Sequence, residues 1–208
     1  MVKNNLGNEV MQDQSEPTLN VRGVNVFKGL LSKDEQLAMV EDLRAVAQAA
    51  PFFTPKTASG QSMSVKMTSA GRFGWVSDAK GYRYESQHPS GVAWPEIPQS
   101  VHSVWNAVSR SERSPESCLI NYYSSFAKMG LHQDRDEKDF SAPVVSISLG
   151  DSALFRIGNE TRGGSTESVW LESGDVCVLG GPARLLFHGI DRVKPNTSTL
   201  LTNGGRIN

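Results

Sequence analysis

Five consecutive residues, His132-Gln133-Asp134-Arg135-Asp136, place an imidazole two positions from a carboxylate. A second imidazole, His188, returns much later within Leu186-Phe187-His188-Gly189-Ile190. In an extended strand side chains alternate faces, so His132 and Asp134 point the same way while Gln133 points oppositely. Two imidazoles and one carboxylate are the donor set of a facial iron site. Such a set leaves three coordination positions open for a bidentate co-substrate and dioxygen, whereas a structural zinc site is closed by four ligands. The stretch from Asp134 to His188 is long enough for several strands to pass before the chain comes back beside the first. Two other readings of these residues exist. Asp134, Asp136 and Asp139 form an acidic run, but the register of a calcium loop puts Lys138 at the fifth position, Asp139 where glycine is required and Val145 where the bidentate glutamate belongs. A solvated acidic turn, with His132 merely at the surface, stays open on these residues alone.

The elements that must position this cluster follow from periodicity. Ser32-Lys33-Asp34-Glu35 is a capping box, the Ser32 hydroxyl accepting from the Glu35 amide while the Glu35 side chain reaches back. Leu37, Val40, Leu43 and Ala47 then recur at helical spacing until Pro51 stops the pattern. Val101, Val104, Trp105 and Val108, after Pro95 and Pro98, predict a second covering helix. From Cys118 onward the texture changes to short period-two runs: Cys118 to Tyr123, Val144 to Leu149, Ala153 to Ile157, Val169 to Glu172, Val176 to Leu179 and Leu185 to Ile190. Ser173-Gly174-Asp175 and Gly180-Gly181-Pro182 supply tight turns between them. Many short, closely spaced strands imply a sandwich or barrel. Thr57 to Glu85, rich in Ser, Gly and Met with Trp75, Tyr82 and Tyr84 interspersed, reads as hairpins or loops that could close over a site.

The chain has 208 residues, 38% of them apolar, which suits one domain with a sizeable core. Twenty-one basic residues against twenty-two acidic ones give a net charge of -1, so any polyanion site must be local. From Lys56 to Arg113 seven basic residues face four acidic ones, which makes this the candidate nucleic-acid face. Cys118 and Cys177 are too few for a secreted disulfide framework, and a reducing, cytoplasmic compartment fits them better. Met1 to Asn20 is polar, with no apolar core of signal-peptide length, and no later run is long enough to span a bilayer. Residues 1–20 are therefore expected as a flexible tail before a single domain over 21–208.

Taken in order, Cys118-Leu119-Ile120-Asn121-Tyr122-Tyr123, Leu131-His132-Gln133-Asp134-Arg135-Asp136-Glu137, Ala142-Pro143-Val144-Val145-Ser146-Ile147-Ser148-Leu149-Gly150, Gly174-Asp175-Val176 and Phe187-His188-Gly189-Ile190 resemble the AlkB family of Fe(II)/2-oxoglutarate-dependent nucleic-acid dioxygenases. The resemblance extends from about Val21 to the C-terminus. It implies a mainly β fold, a double-stranded β-helix or jelly roll with its core in 118–208, flanked by helices and fronted by a nucleotide-recognition lid in 57–85. It makes His132, Asp134 and His188 the iron ligands, with Fe(II), 2-oxoglutarate and O2 as the working set. Asn121, Tyr122 and Tyr123 match the strand that holds 2-oxoglutarate, with Asn121 and Tyr123 on one face. Arg206 and Asn208 match the Arg-x-Asn segment, where a guanidinium fork binds a co-substrate carboxylate. Trp75, Tyr82, Arg83 and Tyr84 match the lid, Asp136 a position contacting the exocyclic amino group of the damaged base, and Arg162 a further substrate contact. A flipped base needs a π-face to stack on, and a lid aromatic paired with His188 would sandwich it.

The implied reaction is oxidative demethylation of N-alkylated bases of the 1-methyladenine and 3-methylcytosine type, cationic lesions that suit Asp136 and aromatic faces. The partner is single- or double-stranded DNA, with RNA as a second candidate, the products formaldehyde and succinate, and the working form a monomer off the membrane. In one respect the sequence departs from the family. The motif normally runs on to a second Arg that helps hold the co-substrate, and this chain stops at Asn208. Truncation is the expectation, since Arg206-Ile207-Asn208 would leave unpaired edge groups. The alternative is a natural variant with a weakened pocket. Two other functions remain on sequence grounds: an oxygenase of a protein or small molecule, and a non-catalytic module that binds alkylated nucleic acid.

Overall fold

A computed structural model describes residues 16–57 and 59–208. In chain order the elements are β1 (Leu19–Val21), β2 (Val24–Phe27), α1 (Lys33–Ala49), β3 (Lys66–Gly71), β4 (Gly74–Asp78), β5 (Gly81–Glu85), α2 (Gln99–Val108), β6 (Ser117–Tyr123), β7 (Met129–His132), β8 (Val144–Ile147), β9 (Leu149–Gly150), β10 (Ala153–Ile157), β11 (Glu167–Leu171), β12 (Val176–Leu179), β13 (His188–Val193) and β14 (Arg206–Ile207). One ladder runs β1-β2-β12-β8 and another β3-β6-β14-β9. Because β8 and β9 are separated only by Ser148, the two ladders join there into one large sheet. A smaller sheet, β11-β10-β13-β7, packs against it, and the pairing is antiparallel throughout. This is the sandwich that the strand pattern predicts, in the jelly-roll form that the family resemblance implies.

Period-two alternation decides which side chains enter the sandwich. Cys177 and Leu179 of β12 join Val24, Val26, Phe155, Ile157 and Ile190 between the sheets. Their neighbours Val176 and Val178 face the helices, against Met39, Val40, Leu43 and Val104. Ser32 caps α1 and the reciprocal bonds of the capping box with Glu35 are both present. The helix turns a different stripe inward than its Leu spacing suggests. Gln36, Met39, Val40, Leu43 and Val46 are buried, whereas Leu37 is 52% exposed. Gln36 is drawn inside by polar partners, donating to the Leu31 carbonyl and accepting from the Ser173 hydroxyl. Burial pushes both thiols up to about 12, so Cys118 and Cys177 are inert packing residues. No helix among the described residues is long and apolar enough to cross a membrane.

Several boundaries differ from expectation. Residues 1–15 of the expected tail lie outside the described residues, and its last two residues, Leu19 and Asn20, pair with β2. The jelly roll also starts earlier than Cys118, because β2 pairs with β12 and β3 with β6. Within 57–85, therefore, Lys66–Gly71 is sheet rather than lid, with Met67 to Ala70 buried. The Ser, Gly and Met of this stretch read as hairpins or loops, yet small residues are what fits beneath covering helices; the Thr68 hydroxyl donates to the Ala50 carbonyl at 2.6 Å. Among the described strands, only the β4–β5 hairpin stands outside the main sheets. Its base is held by Trp94, whose indole donates to the Glu85 carbonyl and whose ring lies against Gly74, leaving no room for a Cβ there. The last expected strand shifts as well. Gly181–Ala183 form a short 3-10 turn, and β13 begins at His188 instead of Leu185.

One close approach governs the small sheet. A Cβ on Gly189 would lie 2.5 Å from the Met129 carbonyl oxygen and 2.7 Å from that of Gly130, so β13 reaches β7 only because residue 189 has no side chain. Gly189→Ala must push the two strands apart, and such overpacking costs about 1–3 kcal/mol. A drop in the thermal unfolding midpoint, followed by circular dichroism, is the expected result.

Candidate metal centre

His132 ends β7 and His188 opens β13, and these two residues are direct partners across the ladder. Their rings come to 4.6 Å between centroids. Asp134 joins them from the irregular segment after β7, not from a strand as the alternation argument expects. Its Oδ1 lies 3.6 Å from His132 Nε2 and its Oδ2 3.4 Å from His188 Nε2. One donor atom from each of the three falls within 4.8 Å of the others. Each imidazole is oriented the same way: Nδ1 of His132 bonds the Gly130 carbonyl at 2.9 Å, and Nδ1 of His188 the Leu186 carbonyl at 3.0 Å. A proton committed to Nδ1 leaves Nε2 as the free donor, the arrangement that metal-binding histidines need.

Electrostatics within the triad are coupled. Burial pushes the proton affinity of His132 down, and the neighbouring His188 pushes it the same way. Burial also depresses His188, but the hydrogen bond and charge of Asp134 outweigh it and raise this imidazole above its ordinary value. Asp134 in turn is held below the usual carboxylate range: burial acts to raise it, and the hydrogen bond to His188, reinforced by the charges of His188, His132 and Arg184, wins. His188 and Asp134 thus favour each other's charged form, and a divalent cation held at the same atoms would compete with a proton there.

The co-substrate residues divide into two groups. Arg206 is fully buried, donating to the Ser148 hydroxyl at 2.6 Å and to two main-chain carbonyls at 3.3 and 3.4 Å. No carboxylate bonds it, and its Nε has no partner. Asn121, on the inner face of β6, likewise has a buried Oδ1 without a partner. A buried guanidinium without an anion is costly unless one arrives. These orphaned groups near the triad therefore fit a small dicarboxylate, as the donor set itself fits Fe(II). Tyr123 lies among them, 1% exposed and within the electrostatic reach of both Arg206 and Asp134. Tyr122 and Asn208 do not join. Tyr122 projects to the opposite face, with its ring 6.2 Å from Phe52 and its hydroxyl donating to the Gly204 carbonyl. Asn208 spends its amide on the Ser146 hydroxyl (2.7 Å) and the Ile147 carbonyl (3.0 Å), fastening β14 to β8.

Around the mouth, Trp75, Tyr82 and Tyr84 share one face of the hairpin, with Trp75 and Tyr82 stacked at 5.5 Å and 17°. The Trp75 indole donates to Asp136 Oδ2 at 2.9 Å, tying the hairpin to the segment that carries Asp134. Tyr84 is engaged, since its hydroxyl donates to Glu137 Oε1 at 2.7 Å. Arg83 points to the other face and is spent on Asp78, at 2.9 and 3.0 Å, and on Glu85. Its guanidinium first, with the Lys80 amide, holds the exposed Asp78 carboxyl down at about 2. Arg162 lies 5.0 Å over the ring of Phe187, next to His188 in sequence. The ring neighbours of His188 are His132 and Phe155, and that of Trp75 is Tyr82. Sequence reasoning missed Gln133, which braces the loop and the turn by donating to the Glu160 and Leu185 carbonyls, and it missed Glu137 and Arg184. The outward-pointing parity of Gln133 was a signal, whereas Arg184 sits in what reads only as a Gly-Pro turn.

Comparison with known proteins agrees with this geometry. A family model described as the 2OG-Fe(II) oxygenase superfamily matches residues 23–208. The alpha-ketoglutarate-dependent dioxygenase AlkB homolog of Caulobacter vibrioides is 51% identical over 199 residues, covering 95% of this chain and 90% of that protein. Alpha-ketoglutarate-dependent dioxygenase AlkB of Escherichia coli K12 is 41% identical over 161 residues, covering 75% and 74%. Among solved structures, that of OsALKBH1 superposes with a TM-score of 0.75 at 32% identity, over 91% of this chain and 97% of the other. A His-Asp-His triad at one end of a jelly roll, orphaned polar groups beside it and these likenesses lead to one assignment: the chain belongs to the AlkB family of the 2OG-Fe(II) oxygenase superfamily and is an Fe(II)/2-oxoglutarate-dependent dioxygenase.

Proposed function

We propose that this dioxygenase removes alkyl groups from the ring nitrogens of bases in nucleic acid, with 1-methyladenine and 3-methylcytosine in DNA as the favoured lesions and RNA as a second substrate, working as a cytoplasmic monomer. The observation that carries the reading is the Trp75 to Asp136 hydrogen bond, which brings a stacked aromatic pair and a carboxylate to the mouth of the metal triad. The names of the relatives support nucleic acid as the substrate: one from Arabidopsis thaliana, 32% identical, is a DNA N(6)-methyladenine demethylase.

The residues divide the work. Trp75 and Tyr82 offer π-faces, and stacking contributes about 1–3 kcal/mol per base. Asp136 accepts from an exocyclic amino group and balances a cationic ring, and Arg162 closes the side beside Phe187. Arg206 takes a carboxylate of the co-substrate with its planar fork, while Asn121 and Tyr123 hydrogen-bond along its length. His132, Asp134 and His188 hold Fe(II). When bound, the metal, 2-oxoglutarate and O2 together supply a two-electron oxidation of the N-alkyl carbon, with loss of CO2 and formation of succinate. The hydroxylated carbon then leaves as formaldehyde, and the ring nitrogen recovers its lone pair. The task of the protein is to hold the alkyl carbon in place and exclude water.

The test is incubation with Fe(II), 2-oxoglutarate and an oligonucleotide carrying one methylated base, following formaldehyde and the loss of the methyl mass. Succinate released without demethylation would overturn the nucleic-acid substrate in favour of a protein or small molecule. Tight binding with neither product would mark a non-catalytic module. His132→Ala should abolish turnover, and surviving activity would refute the ligand assignment. Arg206→Lys keeps a charge but loses the fork, so KM for 2-oxoglutarate should rise at least about tenfold while KM for the oligonucleotide stays put. Trp75→Ala should show the reverse, a KM for oligonucleotide raised by the factor that about 1–3 kcal/mol of stacking implies.

A further inference from the structure

Asp134 is the one member of the triad that no strand holds. His132 and His188 sit opposite each other on β7 and β13, whereas residues 133–136 are irregular. Side chains fix that run, and they come from two directions. From the turn before β13, Arg184, only 4% exposed, donates Nη1 to the main-chain oxygen of Asp134 (2.6 Å), Nε to that of Ala142 (3.0 Å) and Nη2 to Glu137 Oε2 (3.1 Å). From the hairpin, Tyr84 donates its hydroxyl to the other oxygen of the same carboxylate, Glu137 Oε1 (2.7 Å). The two oxygens of Glu137 are thus held by different parts of the molecule, one beneath the metal segment and one above it.

We propose that Arg184 is the positioning residue for the metal-binding carboxylate, and that the chain Tyr84, Glu137, Arg184, Asp134 makes the placement of that carboxylate depend on where the hairpin sits. A guanidinium is planar and its donors are fixed in direction, so three acceptors at positions 134, 137 and 142 bind it to that run as a whole and leave it no freedom to follow one of them alone. The pair with Glu137 is nearly enclosed, its side chains 5% and 29% exposed, which makes it strong and expensive to leave half-made. A base seated against Trp75 and Tyr82 bears on the hairpin, and the Tyr84 hydroxyl passes that load to the metal segment. Substrate and metal would then be thermodynamically linked: each steadies the site for the other. This inference rests on the proposed function in two respects, that the triad takes a divalent metal and that a base seats against the hairpin.

Co(II) titration of the full chain, followed by its visible absorption, tests the coupling with no turnover required. Partners of metal ligands are worth about 10- to 100-fold in metal affinity, and Arg184→Lys and Glu137→Gln should weaken Co(II) binding by that much with an altered spectrum. Tyr84→Phe, which touches only the hairpin end, should act in the same direction and by less. The double variant Tyr84→Phe/Glu137→Gln should be no weaker than Glu137→Gln alone, because both cut one chain. Wild-type affinity and spectrum in Arg184→Lys would overturn the positioning role. The same outcome in Tyr84→Phe, or additive losses in the double variant, would overturn the link to the hairpin. Should Arg184→Lys fail to fold by circular dichroism, Glu137→Gln and Tyr84→Phe still decide. A wild-type chain that takes up no Co(II) at all refutes the metal assignment itself, a result distinct from normal uptake in the variants.

Discussion

The antiparallel pairing of β7 with β13 is the constraint on which the site depends. It sets His132 directly opposite His188, and the missing side chain at Gly189 lets the strands come close enough for their imidazoles to share a carboxylate. Each ring is then turned by the carbonyl two residues before it, Gly130 for one and Leu186 for the other. The strand ends thereby supply both the spacing and the tautomer. Asp134 has no ladder of its own, and its segment is held between the two imidazoles by side chains, Gln133 and Arg184 among them.

Behind the triad the sandwich holds a cation that its own residues leave without a counter-charge at bonding distance. Arg206 is buried between sheets otherwise filled by Phe155, Leu171, Cys177 and Leu179, and its neighbours are hydroxyl and carbonyl oxygens. Burial lowers its proton affinity, while Tyr123, Cys177 and Asp175 act weakly the other way. Such a group detracts from the stability of the free protein and contributes when an anion reaches it. The nearby Asp151 shows how the chain handles a buried charge it means to satisfy. That carboxylate accepts from the amides of Thr197, Ser198 and Gly205, pinning the loop that leads into β14. The contrast between a saturated carboxylate and an unsaturated guanidinium, joined through the Asp151 carbonyl, is what the proposed role of Arg206 in holding the co-substrate rests on.

The local signals in the sequence carried far. The capping box at Ser32, the strands β10 and β12 and the donor set of the metal were all readable, because each is written in residues close in sequence or in a simple period. Parity in β6 already put Asn121 and Tyr123 on one face and so implied that Tyr122 faces away. What could not be read depends on register between distant segments. Asn208 becomes a staple only because β14 lies beside β8 and β9, and Arg83 is spent within the hairpin because the strand pairing brings Asp78 and Glu85 to it. Arg184 carried no pattern at all. Its importance arises from three acceptors within residues 134–142, more than forty positions before it, that it meets only in the folded chain.

The hairpin is the part whose stability differs from the rest. It pairs with no other strand, and its base is fixed by Trp94 and Val76 packed with Ala50. Two further ties reach across to the metal segment, Trp75 to Asp136 and Tyr84 to Glu137. Both end on carboxylates within three residues of Asp134, so the hairpin is anchored to the segment that carries the metal-binding carboxylate. An element joined by few bonds opens at lower free energy than the sheets beneath it, yet here two of those bonds, from Trp75 and Tyr84, also steady the segment that carries Asp134. Loss of order in the hairpin therefore loosens the metal segment. A site built this way is most complete when both the base and the metal are in place, which favours oxidation of the intended substrate over oxidation of the protein itself.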